Sequence, residues 1–296
     1  MARALLSGAR MPDAACPRGS RAHGRALLLL LAGVSSCALA TNYDDPDGPR
    51  YSAEFAPPLD AAAALAPEEL DVCSFNIEDA EHITEAISQL SSDENLSRCS
   101  VLLLQEMDWT GALRIAEALG LDVVFYPGSI HHGKDFGEAV LSKWPISADK
   151  KLILPHRNPT NGRIRIAVSA TLDMPLSPLT AYSVHSDTPW LGLSDRLDQA
   201  EAVAIDAASI DGRVVVAGDF NTSDPGSVEA TVERFTSRSF TWATRDVPPS
   251  AHSPLGAETI DHVFVKALSV EAAGSPPTDA SDHQPIWVKL GLLPVP

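Results

Sequence analysis

The run Val214-Val215-Val216-Ala217 leads directly into Gly218-Asp219-Phe220-Asn221. Four consecutive apolar residues, three of them β-branched, suit a strand buried on both faces, and such a strand needs a further layer on each side. A carboxylate closing that strand has no packing role. The same ending recurs elsewhere. Cys73-Ser74-Phe75 ends in Asn76, Leu102-Leu103-Leu104-Gln105 in Glu106, and Ala181-Tyr182-Ser183-Val184 in His185. Thr259-Ile260-Asp261 and Ser281-Asp282-His283 add two more polar clusters.

Short apolar strands alternate with helical patterns. Strands are expected at 70–77, 101–105, 123–126, 139–142, 163–172, 179–184, 214–217, 259–265 and 285–290. Helices are expected at 80–90, capped by Asp79, at 112–119, ended by Gly120, and from Ser194 or Asp195 to about Ser209. Strands linked first by helices and later by hairpin-like connections argue for an α/β fold with mixed sheets.

Before this domain, a basic stretch ends at Arg25 and runs into Ala26-Leu27-Leu28-Leu29-Leu30-Leu31-Ala32. The apolar run is too short to span a bilayer and fits the core of a signal peptide. Val34-Ser35-Ser36-Cys37 resembles a bacterial lipobox, which would leave a lipid-modified Cys37 and a membrane anchor; this is the preferred reading. Ala38-Leu39-Ala40 offers a second cleavage site, releasing a soluble protein from Thr41. Either way the chain is expected to be exported. Residues 41–68, rich in Pro, Asp and Ala, are expected to be a flexible tether, with the folded domain spanning 69–293.

The chain carries 39 Asp and Glu against 22 Lys and Arg, a formal net charge of -17. Five Arg and one Asp precede Cys37, so the exported part is more acidic still. Such a surface repels polyanions at long range, and no Lys/Arg cluster marks a track for DNA. Nucleic acid is therefore not the favoured substrate, although bound cations can supply positive charge locally. Export would put Cys73 and Cys99 in an oxidising compartment. Their positions at predicted strands equally suit small core residues, and they are expected to be unpaired.

Carboxylates, amides and imidazoles gathered at strand ends suit a site that handles a hard metal ion and a phosphate group. One strand-end Asn or Asp is ordinarily a turn residue or a cap; the ordered set is what carries weight. The phrases Ser74-Phe75-Asn76-Ile77, Leu103-Leu104-Gln105-Glu106, the stretch 137–146, Val184-His185, Gly218-Asp219-Phe220-Asn221, Ile260-Asp261-His262 and Ser281-Asp282-His283-Gln284-Pro285 together resemble the endonuclease/exonuclease/phosphatase superfamily. The resemblance runs from about Leu70 to Leu290.

That resemblance implies a four-layered α/β/β/α sandwich of two mixed sheets and a metal-dependent hydrolase of phosphate esters. It implies that Glu106 ligates Mg2+ or Mn2+, with Asn76 and Asp282 close by. Asp219 would orient or deprotonate the attacking water, and Asn221 would hold the phosphate. His283, tuned by Asp261, would donate to a non-bridging oxygen, and His185 would stabilise developing charge. Small or lipid-linked phosphate esters are favoured over duplex DNA, a scavenging deoxyribonuclease being the alternative. A non-catalytic surface-binding protein that kept the fold is the other class. A monomer is expected. Many bacterial members carry Leu after the first catalytic His, where this chain has Ser186, which bears on substrate fit.

Several other residues are read as structural. Glu138 is expected at the rim, Arg163 and Arg165 on a solvated strand face, and His131 and His132 in an exposed loop. His156, His252 and His262 carry no assigned role. Trp190 and Trp242 are placed in loops. Loops 127–136, 155–162, 187–193 and 243–258 are expected to set specificity.

Overall fold

The computed structural model describes residues 40–57, 69–175, 177–253 and 256–292. The lipobox, the signal peptide up to residue 39 and residues 58–68 of the expected tether lie outside these. Among the described residues no helix is long and apolar enough to cross a membrane.

Two sheets stack face to face. The first contains β1 (Tyr51–Ala53), β2 (Glu69–Asn76), β3 (Val101–Met107), β4 (Asp122–His131), β5 (Lys134–Ser142), β14 (Ser269–Gly274) and β15 (Ile286–Gly291), in the order β1-β4-β5-β3-β2-β15-β14. The second runs β10-β13-β9-β8-β7-β6. Its strands are β6 (Ile146–Ile153), β7 (Ile166–Leu172), β8 (Leu179–His185), β9 (Arg213–Asp219), β10 (Thr241–Trp242) and β13 (Asp261–Lys266). A small ribbon pairs β11 (Ala251–Ser253) with β12 (Gly256–Glu258).

Each sheet contains one parallel pair among antiparallel neighbours: β2 with β3, and β8 with β9. A parallel pair needs a crossover. Helix α1 (Ile83–Ser92) supplies the first and α3 (Leu193–Ala208) the second. Helix α2 (Trp109–Leu119) joins α1 outside the first sheet, and α4 (Pro225–Thr236) joins α3 outside the second. The result is the expected four-layered α/β/β/α sandwich.

Period-two alternation builds three cores. Leu70, Val72, Leu103 and Val140 meet Val168, Ala181, Val215 and Val263 between the sheets. Phe75, Leu102 and Leu104 pack under α1 and α2 with Ala86, Leu90 and Ile115. Val214, Val216 and Phe264 pack under α3 and α4 with Val203 and Phe235. Strand β9 thus feeds both of its faces into apolar layers, as its unbroken apolar run requires.

Several expectations are corrected. Residues 40–57 are not a tether. Strand β1 pairs antiparallel with β4. Lys151 Nζ donates to the carbonyls of Tyr43 and Gly48, and Asp122 Oδ1 accepts from the backbone of Phe55 and Ala56. Buried charges on the domain thus find backbone partners in this segment, which also covers the edge of β4. Cys73 and Cys99 are not free: they form a disulfide with a Cα–Cα distance of 5.7 Å. Cys73 lies opposite Leu102 in the parallel register, so the chain returning into β3 passes close beside it.

Helix α1 starts later than expected, at Ile83. Residues Glu78, Asp79 and Ala80 instead form a left-handed turn with φ of 29°, 53° and 55°. Strand β7 begins at Ile166, because Asn158 to Arg163 closes a turn. Helix α4 was not expected; Asp224 caps it, accepting from the N–H groups of Gly226 and Ser227, with Pro225 opening the first turn.

Candidate active site

The parallel strands place the chemistry. Their carboxyl ends lie at one edge of the sandwich, the customary location for sites in sheets of this kind. Asn76 sits opposite Gln105 at the end of β2 and β3, one residue before Glu106. His185 sits opposite Asp219 at the end of β8 and β9. Antiparallel β13 begins at Asp261, paired with Asp219. The chain entering β15 brings His283. Between the sheets, Gln105 Nε2 donates to Ser183 Oγ at 2.8 Å, and Ser183 Oγ donates to the Leu104 carbonyl at 2.9 Å. These bonds fix the two halves of the site against each other.

Gly218 permits this approach of β9 to β8. Its φ is 147°, and a Cβ there would lie 1.9 Å from the Val184 carbonyl oxygen. No side chain fits between the two strands just before Asp219.

Asp219 Oδ2 is the hub. Asn76 Nδ2 donates to it at 3.3 Å and Asn221 Nδ2 at 3.2 Å. The Nε2 atoms of His185 and His283 lie 3.6 and 3.8 Å away. Oδ1 accepts from the Asn221 backbone at 2.8 Å, and Asn221 itself has a left-handed φ of 51°. Burial pushes the Asp219 carboxyl up to about 7, against the pull of the His283 charge. A carboxylate near neutrality is suited to taking a proton from water.

The two histidines are set differently. Asp261 Oδ2 lies 2.9 Å from His283 Nδ1 and also accepts from Ser250 Oγ at 2.6 Å. Loss of hydration opposes a charge on His283, but the Asp261 carboxylate and its hydrogen bond carry the imidazole up to about 10. His283 is therefore an imidazolium at neutral pH. His185 is held the other way: burial and then Arg165 push it well below the usual histidine range. Arg165 Nη1 lies 3.1 Å from His185 Nδ1. A guanidinium can only donate, so Nδ1 accepts and the neutral ring carries its proton on Nε2. That proton faces Asp219 and, at 3.6 Å, Glu106 Oε1.

Sequence reasoning misread the support beneath His185. Glu138 is 2% exposed rather than at the rim, its Oε1 3.7 Å from His185 Nδ1. Arg165 is 6% exposed rather than solvated, because the β4–β5 hairpin covers its strand and Phe136 lies beneath its guanidinium. Burial raises the Glu138 carboxyl well above its usual range. Asp187, equally buried, lies 3.8 Å from Arg165 Nε and accepts from Asn158 Nδ2 at 2.8 Å. The sequence signal for this layer was the polar stretch Ser186-Asp187-Thr188 directly after His185. Trp190 is exposed, while Trp242 packs against the buried His262.

The residues suit a hard cation. Glu106 sits at an irregularity in β3 with φ of 57°, and its Oε2 accepts from the Asp79 backbone at 3.2 Å. Burial, and the neighbouring Asp79 charge in spite of Arg165, raise the Glu106 carboxyl. An ionised carboxylate there is under-compensated, a deficit that a divalent cation removes. Asn76 Oδ1 accepts from the Glu78 backbone at 3.2 Å beside it. Asp282 is placed differently. Its side chain is half exposed, with contacts to Ser281 Oγ and, at 4.0 Å, His283 Nε2. Its backbone N–H donates to Glu78 Oε2 at 3.1 Å, which ties it to the turn whose Asp79 N–H meets Glu106.

Comparison with known proteins identifies the family and the fold. The endonuclease/exonuclease/phosphatase family profile matches residues 73–283, from the disulfide cysteine of β2 to His283. The chain belongs to the endonuclease/exonuclease/phosphatase family. Among solved structures, an endonuclease/exonuclease/phosphatase from Beutenbergia cavernae is 22% identical with a TM-score of 0.63, over 78% of this chain and 73% of that one. D. rerio TDP2, complexed with a single-strand DNA product, is 16% identical with a TM-score of 0.61, over 76% and 100%. A mannosyl-6-phosphatase from Bacteroides thetaiotaomicron is 17% identical with a TM-score of 0.56, over 75% and 99%. At such identities these likenesses establish the fold alone. A UPF0294 protein of Vibrio vulnificus is 30% identical over 114 residues, 38% of this chain. The match spans 40% of that relative's length.

Proposed function

We propose that this family member is an exported, divalent-metal-dependent hydrolase of phosphate esters. The observation that carries the reading is the pair of unlike histidines flanking one carboxylate oxygen. Neutral His185 and cationic His283 lie on either side of Asp219 Oδ2, with two amide groups completing the ring. In-line displacement at phosphorus needs a positioned water, neutralised non-bridging oxygens and a stabilised leaving oxygen. Asp219 orients the water and accepts its proton. His283 gives charge and a hydrogen bond to a non-bridging oxygen. His185 keeps its Nε2 proton and gives a hydrogen bond to the leaving oxygen as charge develops there, and Asn221 and Asn76 fix the carboxylate. Glu106, with Asn76, would hold Mg2+ or Mn2+. The ion would neutralise phosphate charge and lower the pKa of a bound water.

The acidic balance favours a small or lipid-linked phosphate ester over duplex DNA. The Cys73–Cys99 disulfide supports export, through either the lipid-modified Cys37 or the soluble form from Thr41.

The test is hydrolysis of bis-p-nitrophenyl phosphate and of plasmid DNA at two salt concentrations, by the chain and by His185→Ala and His283→Ala. Loss of small-diester turnover in both variants, with little salt dependence, supports the reading. DNA cleavage that outpaces the small diester and falls steeply with salt moves the substrate to nucleic acid. Unchanged turnover in both variants refutes the assignment.

A further inference from the structure

The β4–β5 hairpin turns at His132 and Gly133, and its tip brings two imidazoles against Asp79. The Nε2 atoms of His131 and His132 lie 3.6 and 3.9 Å from the same oxygen, Asp79 Oδ2. Neighbours on a strand point to opposite faces. Here a left-handed φ of 47° at His132 turns its ring back, and the two ring centroids are 3.9 Å apart. Asp79 is aimed by its own left-handed turn. Non-glycine residues in that region each cost about 1–3 kcal/mol and persist where surrounding structure fixes them. A cavity of about 90 Å³ is lined by these three side chains together with Glu106, Lys134 and Phe136.

Donor atoms around one tetrahedral ion, each about 2.0–2.2 Å from it, are separated by roughly 3.3–3.6 Å. The two carboxylate–imidazole distances are already within a few tenths of an ångström of that spacing, and all three donor atoms lie within 4.8 Å of one another. Two imidazole nitrogens and a single carboxylate do not suit Mg2+, which prefers oxygen; they suit a borderline ion of the zinc class.

We propose that Asp79, His131 and His132 form a second cation site, built for Zn2+ and separate from the hard-metal position at Glu106. Three protein ligands leave a coordination position open, as in sites where an ion meets water or a substrate oxygen. The cavity shared with Glu106 is where that position opens. The Asp79 N–H bond to Glu106 Oε2 ties the two positions together through one residue. The ion adds positive charge at the rim of an acidic protein, where an anionic substrate arrives. Arg163 must respond. Its Nη2 lies against His131 Nδ1. An imidazole that ligates through Nε2 keeps its proton on Nδ1, so the guanidinium has to leave that nitrogen and settle over Phe136, which it already faces at 5.1 Å. The site stands whether or not the phosphoester reading holds.

The experiment is Zn2+ titration of the EDTA-treated chain by calorimetry, with Co2+ absorption as a second readout of imidazole ligation. Four variants accompany it: His132→Ala, His131→Gln, Glu106→Gln and His156→Ala. His132 is largely exposed, so its removal leaves the fold intact. His156, which contacts Asp198 and Asp195, controls for the other surface His–Asp cluster. One Zn2+ equivalent should weaken more than about tenfold in His132→Ala and in His131→Gln. The Co2+ bands should disappear in the same two variants. Glu106→Gln and His156→Ala should keep both. Equal affinity and stoichiometry in His132→Ala and the unmutated chain overturn the proposal, as does loss of the ion in Glu106→Gln or His156→Ala alone.

Discussion

Replacing Asp261 with Asn tests how His283 is charged. The substitution keeps the volume and leaves a group able to meet Ser250, but it removes the negative charge 2.9 Å from His283 Nδ1. In the native protein that charge, together with its hydrogen bond, outweighs burial and carries His283 from 6.5 to about 10. At 1.36 kcal/mol for each pKa unit, the preference for the charged ring is on the order of 5 kcal/mol. Without Asp261, burial opposes the charge and only the Asp219 and Asp282 carboxylates still favour it, so the pKa should fall and the ring should lose much of its charge at pH 7.5. Turnover of bis-p-nitrophenyl phosphate at pH 7.5 should drop about 100- to 10,000-fold. The alkaline limb of the kcat/KM profile should move from near pH 10 to lower pH, with NMR of the histidine ring following the same titration. Stability should respond with a definite sign. His283 is raised in the folded state, so its contribution is complete below about pH 6.5 and is lost as pH rises through about 10. The variant should lack that dependence. An unchanged alkaline limb in Asp261→Asn would refute the argument that Asp261 sets the charge of His283.

Three further outcomes follow from particular contacts. Gly218→Ala should destabilise the fold by several kcal/mol, seen as a large fall in Tm, because its Cβ meets the Val184 carbonyl at 1.9 Å and β9 cannot move without parting from β8. Cys73→Ala with Cys99→Ala should cost about 3.5 kcal/mol on the chain-entropy scale for a separation of 26 residues, measured by denaturant unfolding; an unchanged midpoint would mean the bond adds nothing. Arg165→Lys should lower kcat about tenfold or more with little change in KM, since an ammonium cannot reproduce the planar contact with His185 Nδ1. An equal rise in KM would instead make Arg165 a substrate-binding group.

The sandwich and the residues at its edge were legible for one reason. A strand that is apolar along its length and ends in a polar group marks both its layer and its functional end, and Asn76, Glu106, His185 and Asp219 all follow that rule. Asp261 and His283 followed from family resemblance, and the β13 register and the Asp261–His283 hydrogen bond place them beside Asp219. In the layer beneath His185 only Asp187 left a sequence signal, the polar stretch directly after His185; Arg165 and Glu138 left none. Arg165 alternates with Ile164 and Ile166 as a solvent-facing residue would, and only the overlying hairpin reveals that both faces are covered. Glu138 reads like any charged strand residue until its neighbours are known. The Cys73–Cys99 bond depends on the path of the chain between two parallel strands, which hydrophobic period does not encode. Residues 40–57 have the composition of a linker, yet Lys151 and Asp122, more than sixty residues away, hold them in place. Helix α4 was missed although Asp224-Pro225, a cap followed by the residue best suited to a first turn, marks its start.

Metal-dependent phosphoester hydrolysis at Asp219 is tested most directly by stripping the full chain with EDTA and measuring bis-p-nitrophenyl phosphate turnover. Mg2+ or Mn2+ is then restored, with Asp219→Asn measured alongside. Turnover should appear only with added metal and should fall about 100- to 10,000-fold in the variant. Turnover that persists in EDTA, or that survives Asp219→Asn in folded protein, would contradict it.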